Sequence, residues 1–367
     1  MKACAAVLTE FNRPLDLREI AAPVLGAGQL LVEILAAGVC GSDVHMWRGK
    51  DPRTPLPIIL GHEGVGRVVD VRGPRCDVYG APVSPGDRII WERGVACGRC
   101  YACAVLHQPS LCENRWAYGI HRSLHDEPHL NGCYASHIIL DARTDLVPLL
   151  PDDDPSLLVA ASCSGATAAH TFDLVETRVG DTVVVFGPGP VGALSVAMAR
   201  AAGAQNVIMI GGSLDRLALG VRAGATVALD RHATTAEQRR QVVFDLSKGR
   251  GADLVIEASG SISAAEEGLD LVRRGGALAL VGFGTPVGAM SLLPFEQVVQ
   301  RNVQVQGVWV SDLRHLLRAM SVLRAYANDL SGLVTRRCSL AQATEALEAV
   351  ESRRALKVVL VPSGSDD

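Results

Sequence analysis

Residues 182–203 read Thr-Val-Val-Val-Phe-Gly-Pro-Gly-Pro-Val-Gly-Ala-Leu-Ser-Val-Ala-Met-Ala-Arg-Ala-Ala-Gly, and this stretch decides the fold. The apolar run Thr182–Phe186 has the length of a fully buried strand, and Val191–Gly203 is an alanine-rich helix. Between them lies Gly187-x-Gly189-x-x-Gly192, with Pro190 and Val191 opening the helix. A G-x-G-x-x-G pattern says little alone; a strand before it and a helix after it give it meaning. Gly187 then allows the tight turn, Gly189 lets backbone approach a pyrophosphate, and Gly192 lets helix and sheet pack closely. The helix N-terminus adds partial positive charge for the phosphates.

The same texture continues outward. Val207–Ile210, Thr226–Leu229, Leu254–Glu257 and Ala277–Val281 read as strands, and Asp215–Ala223 and Ala264–Leu271 as helices. Strand and helix alternating at this spacing predict a parallel doubly wound sheet, with Asn302–Val310 as its last strand. The ribose of a dinucleotide is read at the end of the second strand, where an NAD site usually places Asp or Glu. This chain has Ile210-Gly211-Gly212-Ser213 there, with Arg216 and Arg222 just beyond. Losing that carboxylate removes repulsion toward a 2′-phosphate, which Ser213 and Arg216 can hydrogen-bond. NADP(H) is expected ahead of NAD(H), although neutral glycines admit either.

Before residue 165 the sequence is different. Short apolar strands such as Leu30–Ala36, Val65–Val71 and Tyr134–Leu140 are separated by Gly and Pro turns, including Ser84-Pro85-Gly86-Asp87. This predicts a β-leaning domain with long functional loops. Pro151-Asp152-Asp153-Asp154-Pro155 reads as a helix start. The tail from Leu313 begins with a helix and ends on Leu356–Val361, a strand expected to return to the first domain, and the last residues, 363–367, read as disordered.

Bulk properties narrow the function. The 367 residues exceed one ordinary core, so two domains are expected. A net charge of −4, with both signs interspersed, offers no nucleic-acid face and no electrostatic membrane anchor. Apolar runs are strand-sized, well short of the roughly 18 residues a membrane helix needs. Met1–Cys4 runs into strand-like sequence without a signal-peptide core, which points to the cytoplasm. In such a chain ten cysteines suggest metal ligation ahead of disulfides.

Cys97, Cys100, Cys103 and Cys112 are spaced C-x2-C-x2-C-x8-C, which suits one closed tetrahedral Zn²⁺ of the structural kind. Cys40, His62 and Cys163 form a second candidate set, three ligands with a vacancy, as a catalytic zinc requires. Such an ion would polarise an alcohol oxygen so that hydride can leave. The proton must then reach solvent, and Ser42 can take it and His45 pass it on. Asp43 and Glu63 are expected to orient ligands from behind. Cys4, Cys76, Cys133 and Cys338 fit no ligand spacing and are expected to be small buried residues.

Together these residues resemble the zinc-dependent medium-chain alcohol dehydrogenase/reductase family over essentially the whole chain. Cys40-Gly41-Ser42-Asp43-x-His45 and Gly61-His62-Glu63-Gly64-x-Gly66 match its catalytic-zinc segments, and Ala161–Thr167 resembles its third-ligand segment around Cys163. The four cysteines match its structural-zinc lobe, with one residue more between the third and fourth. Gly187–Gly192 matches its coenzyme loop, and Val281-Gly282-Phe283-Gly284 its segment beside the nicotinamide. The resemblance implies a doubly wound parallel (Rossmann) coenzyme domain at 165–311. It also implies a β-rich GroES-like catalytic domain from 1–164 and 312–367. Lys357 is expected near the coenzyme, and dimers or tetramers are expected through the strand around Gln304–Val310.

The expected reaction interconverts an alcohol and an aldehyde or ketone by hydride transfer to or from NAD(P), with two zinc ions per chain. The alternatives are a polyol or amino-alcohol dehydrogenase of the same family and a non-catalytic zinc and nucleotide binder; an intact Ser42–His45 relay argues against the latter. For the pocket, Trp47 and Trp116 are candidate walls. Arg93 is expected at the surface beside Glu92; turned inward, it would favour an anionic substrate. His121, His125 and His129 fall in a loop and are expected at its rim.

Overall fold

The structure is a computed structural model describing residues 1–362; the expected disorder of 363–367 lies outside the described residues. The chain divides into two compact units. One comprises Met1–Cys163, Asp312–Leu317 and Val334 onward; the other comprises Ser164–Ser311 and Arg318–Leu333.

The second unit is the doubly wound sheet. Its six strands are all parallel and lie in the spatial order Val227–Asp230, Asn206–Gly211, Thr182–Phe186, Ala252–Glu257, Val272–Leu280, Gln304–Gly307. Counted by sequence, this is the order 3-2-1-4-5-6 of dinucleotide-binding sheets. Thr182–Phe186 is buried along its whole length, which explains its uninterrupted apolar run. The order of strands reverses beside it, so the glycine loop that follows emerges at the switch point, where ligands bind in such sheets. The helix Pro190–Ala201 runs from that loop, with Ala193, Ala197 and Ala199 buried.

The first unit is β-rich. Its largest sheet runs Leu146–Pro148, Arg88–Trp91, Glu63–Val71, Leu30–Val39, Lys357–Leu360, Val334–Cys338, with His137–Leu140 also paired to Leu30–Val39. A three-stranded sheet of Asp16–Ala21, Lys2–Leu8 and Ile58–Ile59 packs into the same hydrophobic core. Lys357–Leu360 pairs antiparallel with Leu30–Val39, so the end of the chain does return to the first strands. Asp154 caps the short helix Pro155–Leu158 by accepting from the Ser156 N–H at 2.8 Å.

Three sequence expectations change. The segment Arg318–Leu333, expected with the first unit, packs with the second. Its Asp329 pairs with Arg200 at 3.0 Å, and Tyr326 lies under the Arg200 guanidinium. Cys4 and Cys76 are exposed, whereas Cys133 and Cys338 are buried as expected. On Lys2–Leu8 the early residues alternate between faces, and Cys4 falls on the outer one. Trp47 is no pocket wall. It is core, and its indole N–H donates to the Arg13 carbonyl at 2.6 Å.

Candidate metal centres and nucleotide loop

Cys40 ends the long strand Leu30–Val39 and stands, in extended conformation, just before the helix Gly41–Trp47. Asp43, in the first turn of that helix, folds back and accepts from the Cys40 N–H at 2.8 Å. His62 directly precedes the neighbouring strand Glu63–Val71, which pairs with Leu30–Val39 from Gly38 opposite Glu63. Sheet pairing therefore brings together residues twenty-two positions apart. Cys163 follows the turn Val159–Ser162 and precedes the helix Ser164–Leu174, at a break in helical geometry. The donor atoms of Cys40, His62, Glu63 and Cys163 all lie within 4.8 Å of one another.

Asp43 sits behind this cluster. Its Oδ1 is 3.1 Å from His62 Nδ1, and its Oδ2 accepts from the Tyr134 hydroxyl at 3.1 Å. With Nδ1–H donating to the carboxylate, Nε2 presents its lone pair to the sulfurs. Nε2 is buried and finds no hydrogen-bond partner among the described residues. An orphaned ring nitrogen facing two sulfurs is the donor set a zinc ion takes. Burial opposes charge on His62, but Asp43 and then Cys40 carry its pKa up to about 9. The sulfurs of Cys40 and Cys163 are 3.9 Å apart, and their contact pushes Cys40 well down and Cys163 well up.

Glu63 is fully buried and ion-paired with Lys357 Nζ; its other oxygen, Oε1, is unpartnered among the described residues. Burial pulls the Lys357 ammonium down, and the charge on Glu63 more than restores it. The Lys357 ammonium is thus engaged at the Glu63 carboxylate, beside the cysteine–histidine cluster. Ser42 Oγ is 3.2 Å from Cys40 Sγ, and His45, one turn along the same helix, is partly exposed.

Arg93 also differs from expectation. It is buried at 6% exposure and its Nη1 lies 3.0 Å from Cys163 Sγ. Glu92 turns the other way, accepting from Arg115 at 3.2 Å and from the Gly94 N–H at 3.0 Å. Two adjacent residues of opposite charge look like a surface pair in sequence. They lie at a bend between Arg88–Trp91 and Gly94–Val95, where Arg93 reaches Cys163 and Glu92 reaches Arg115.

Cys97, Cys100, Cys103 and Cys112 form the second cluster, again with donor atoms within 4.8 Å. The short helix Tyr101–Ala104 and the turn Pro109–Leu111 carry the chain around it. The backbone N–H groups of Arg99 and Cys100 pull the Cys97 thiol down to about 6. The Cys97 N–H in turn points at Cys112 Sγ at 3.3 Å. The longer gap before Cys112 is taken up by the Pro109–Leu111 turn, and the cluster stays closed. His121, His125 and His129 lie in the following loop; His129 Nδ1 meets the Leu124 carbonyl at 3.0 Å. Trp116 is half-buried, with Arg122 stacked on its ring.

In the second unit Gly187 has φ of +96°, and a side chain there would strike the Ser259 backbone at 2.8 Å. A side chain at Gly192 would collide with the Gly187 carbonyl, whereas Gly189 faces open space. The loop thus leaves its middle glycine free for a ligand. Val281 and Gly282 both donate to the Glu257 carbonyl, which fixes the turn after Val272–Leu280. At the end of the second strand the structure adds two residues the sequence reading missed. Gly211 is paired beside Asp230, so Arg231 and His232 come to lie against Gly212. A Cβ on Gly212 would sit 2.6 Å from His232 Nε2 and 2.8 Å from Arg231 Nε. Only strand pairing shows this, because 212 and 231 are far apart in sequence.

The comparisons agree with this architecture. Residues 26–152 match the alcohol dehydrogenase GroES-like domain and residues 190–325 the zinc-binding dehydrogenase family. The 5-exo-hydroxycamphor dehydrogenase of Pseudomonas putida is 34% identical over 98% of both chains. An L-threonine 3-dehydrogenase of Streptomyces coelicolor is 32% identical over 97% of this chain and 98% of its own. Among solved structures, an alcohol dehydrogenase of Thermotoga maritima superposes with a TM-score of 0.97 at 48% identity, covering 99% and 100% of the two chains. A zinc-binding dehydrogenase of Sinorhizobium meliloti, bound to NADP, has a TM-score of 0.85 at 27% identity, over 99% and 100%. No helix among the described residues is long and apolar enough to cross a membrane.

Proposed function

This chain belongs to the zinc-type medium-chain alcohol dehydrogenase/reductase family, whose members interconvert small alcohols and carbonyl compounds with NAD(P), and we propose that it does so with two zinc ions per chain. Cys40, His62 and Cys163 would hold the catalytic ion, and Cys97, Cys100, Cys103 and Cys112 the structural one. The observation that carries this reading is His62 Nε2, buried without a partner and aimed at two sulfurs. Charge supports it. With both sulfurs ionised and His62 neutral, as a metal requires, four anions (buried Cys163, Asp43 and Glu63 and half-buried Cys40) face two buried cations (Lys357, Arg93). The remaining two negative charges are what a divalent cation cancels.

A zinc ion there supplies a Lewis acid for the alcohol oxygen. The chain's own residues do the rest. Asp43 fixes the His62 tautomer and, through the Cys40 N–H, the position of the first sulfur. Lys357 neutralises Glu63, keeping that carboxylate from competing with substrate. Ser42 Oγ is placed to take the alcohol proton and His45 to hand it to water, and a bound nicotinamide would supply the hydride acceptor.

For the coenzyme we favour NADP(H). The missing acid at Gly211-Gly212, with Ser213 and Arg216 nearby, is joined by Arg231 and His232 beside Gly212, which suits a 2′-phosphate. The names of two relatives place the reacting hydroxyl on a secondary carbon, so a secondary alcohol and its ketone are the proposed substrate class. Assembly as a dimer or tetramer is proposed through the sheet edge Gln304–Gly307. It is flanked by exposed Phe295, Val299 and Trp309. Location in the cytoplasm remains part of this reading. A panel of secondary alcohols read by nicotinamide absorbance with each coenzyme, together with metal analysis, tests it. Absence of turnover with every alcohol, or a zinc content near one, would overturn the corresponding part.

A further inference from the structure

The mechanism above leaves Arg93 without a task. Its guanidinium is buried, which is costly unless something repays the lost hydration. Its carbonyl is held by the Tyr118 N–H at 3.1 Å, next to the small hairpin of Gly94–Val95 and Trp116–Ala117. From there the side chain reaches Cys163 Sγ at 3.0 Å, and its Nε is buried without a partner among the described residues. Glu92 does not compete for it, being bound to Arg115 and the Gly94 N–H.

Two of the candidate ligands share a support and the third does not. His62 is oriented by Asp43, and Cys40 by the turn that Asp43 caps. Cys163 stands at a break between two helical turns, and the polar groups at its sulfur are Arg93 and Cys40. The supports also differ in sign: a carboxylate behind an imidazole pushes electron density toward a metal, whereas a cationic N–H donor on a sulfur draws it away.

We propose that Arg93 is a positioning residue that clamps the Cys163 sulfur through an N–H···S hydrogen bond and withdraws electron density from it, leaving the bound cation a stronger electron-pair acceptor. This rests on the metal reading of Cys40, His62 and Cys163. Arginine suits the task because its charge cannot be titrated away and its planar fork is directional.

The test replaces zinc by Co²⁺ in the full-length enzyme and records the sulfur-to-cobalt charge-transfer band. Subtracting the spectrum of Cys40→Ser, which keeps the four-cysteine lobe, isolates the three-ligand site. In Arg93→Met that band should move to longer wavelength at unchanged cobalt content, and Arg93→Lys should return it part of the way. An unmoved band in cobalt-loaded Arg93→Met overturns the proposal. If Arg93→Met does not fold, the same shift is required of Arg93→Gln. If the wild-type and Cys40→Ser spectra are identical, the metal reading itself has failed, which is a separate result.

Discussion

The carboxylate of Asp43 and the ring of His62 meet at 3.1 Å with both side chains wholly buried, and the same carboxylate accepts from the Cys40 N–H at 2.8 Å. One side chain therefore positions two of the three candidate ligands. It can do so because the helix Gly41–Trp47 turns it back toward the strand it left.

Asp43→Asn keeps the size of the side chain and removes the charge behind His62. Partners of this kind typically contribute about 10–100-fold to metal affinity. Zinc retention against a chelator should fall by that order at the three-ligand site, and the four-cysteine site should keep its ion. Equal retention in wild type and variant would show that Asp43 is not the ligand's support.

Lys357→Met leaves Glu63 buried beside two sulfurs without its counter-charge. Breaking a buried pair from one side costs about 3–5 kcal/mol. Denaturant unfolding should show a loss of that size, and the double variant Lys357→Met with Glu63→Gln should recover most of it. No recovery in the double variant would mean that the lysine stem, not the ion pair, supplies the stability.

Cys100→Ser removes one of four sulfurs that hold a loop with little apolar burial of its own; Tyr101, Val105, Leu106 and Leu111 around it are all exposed. Since structural zinc contributes folding free energy, the melting temperature should drop and zinc content should fall from two toward one. An unchanged melting temperature would argue against metal in the lobe.

Arg231→Ala should raise the KM for NADP(H) by about tenfold, the order of one charge-assisted contact, with little change for NAD(H). Gly212→Asp should act in the same direction, because its carboxylate would meet Arg231 and His232 where a phosphate is expected. Equal effects on both coenzymes would remove these residues from 2′-phosphate recognition.

His121 offers a test by pH. Burial, then the charges of Arg53 and Arg115, push its pKa down to about 4, while its Nδ1 accepts from the Ala117 N–H at 3.0 Å. Its folded pKa lies below the ordinary 6.5, so the unfolded chain binds the proton more readily. Stability from neutral His121 is therefore complete above about pH 6.5 and is lost as pH falls toward 4. His121→Asn keeps an acceptor for Ala117, and its melting temperature should decline less than that of wild type between roughly pH 7 and pH 4.5. Parallel declines would show that His121 does not couple folding to protons.

Local pattern made much of this protein legible. An apolar run, a glycine loop and an alanine-rich helix require no partner elsewhere in the chain to be recognised, nor do four cysteines within sixteen residues. Each is a short-range arrangement whose chemistry is fixed by spacing along the backbone. The residues that sequence misplaced are those whose surroundings come from other strands. Arg93 read as a surface partner of Glu92 because neighbours in sequence look like neighbours in space, yet the fold brings Cys163 to Arg93 and Arg115 to Glu92. Lys357 meets Glu63, 294 positions away, because the strands that carry them both pair with Leu30–Val39. Arg231 and His232 reach Gly212 because Val227–Asp230 pairs with Asn206–Gly211. Sequence by itself determined which donor atoms the protein owns and the order in which its strands and helices occur. Tertiary structure alone decided which charge stands behind which ligand, because burial removes the water that would otherwise screen the difference.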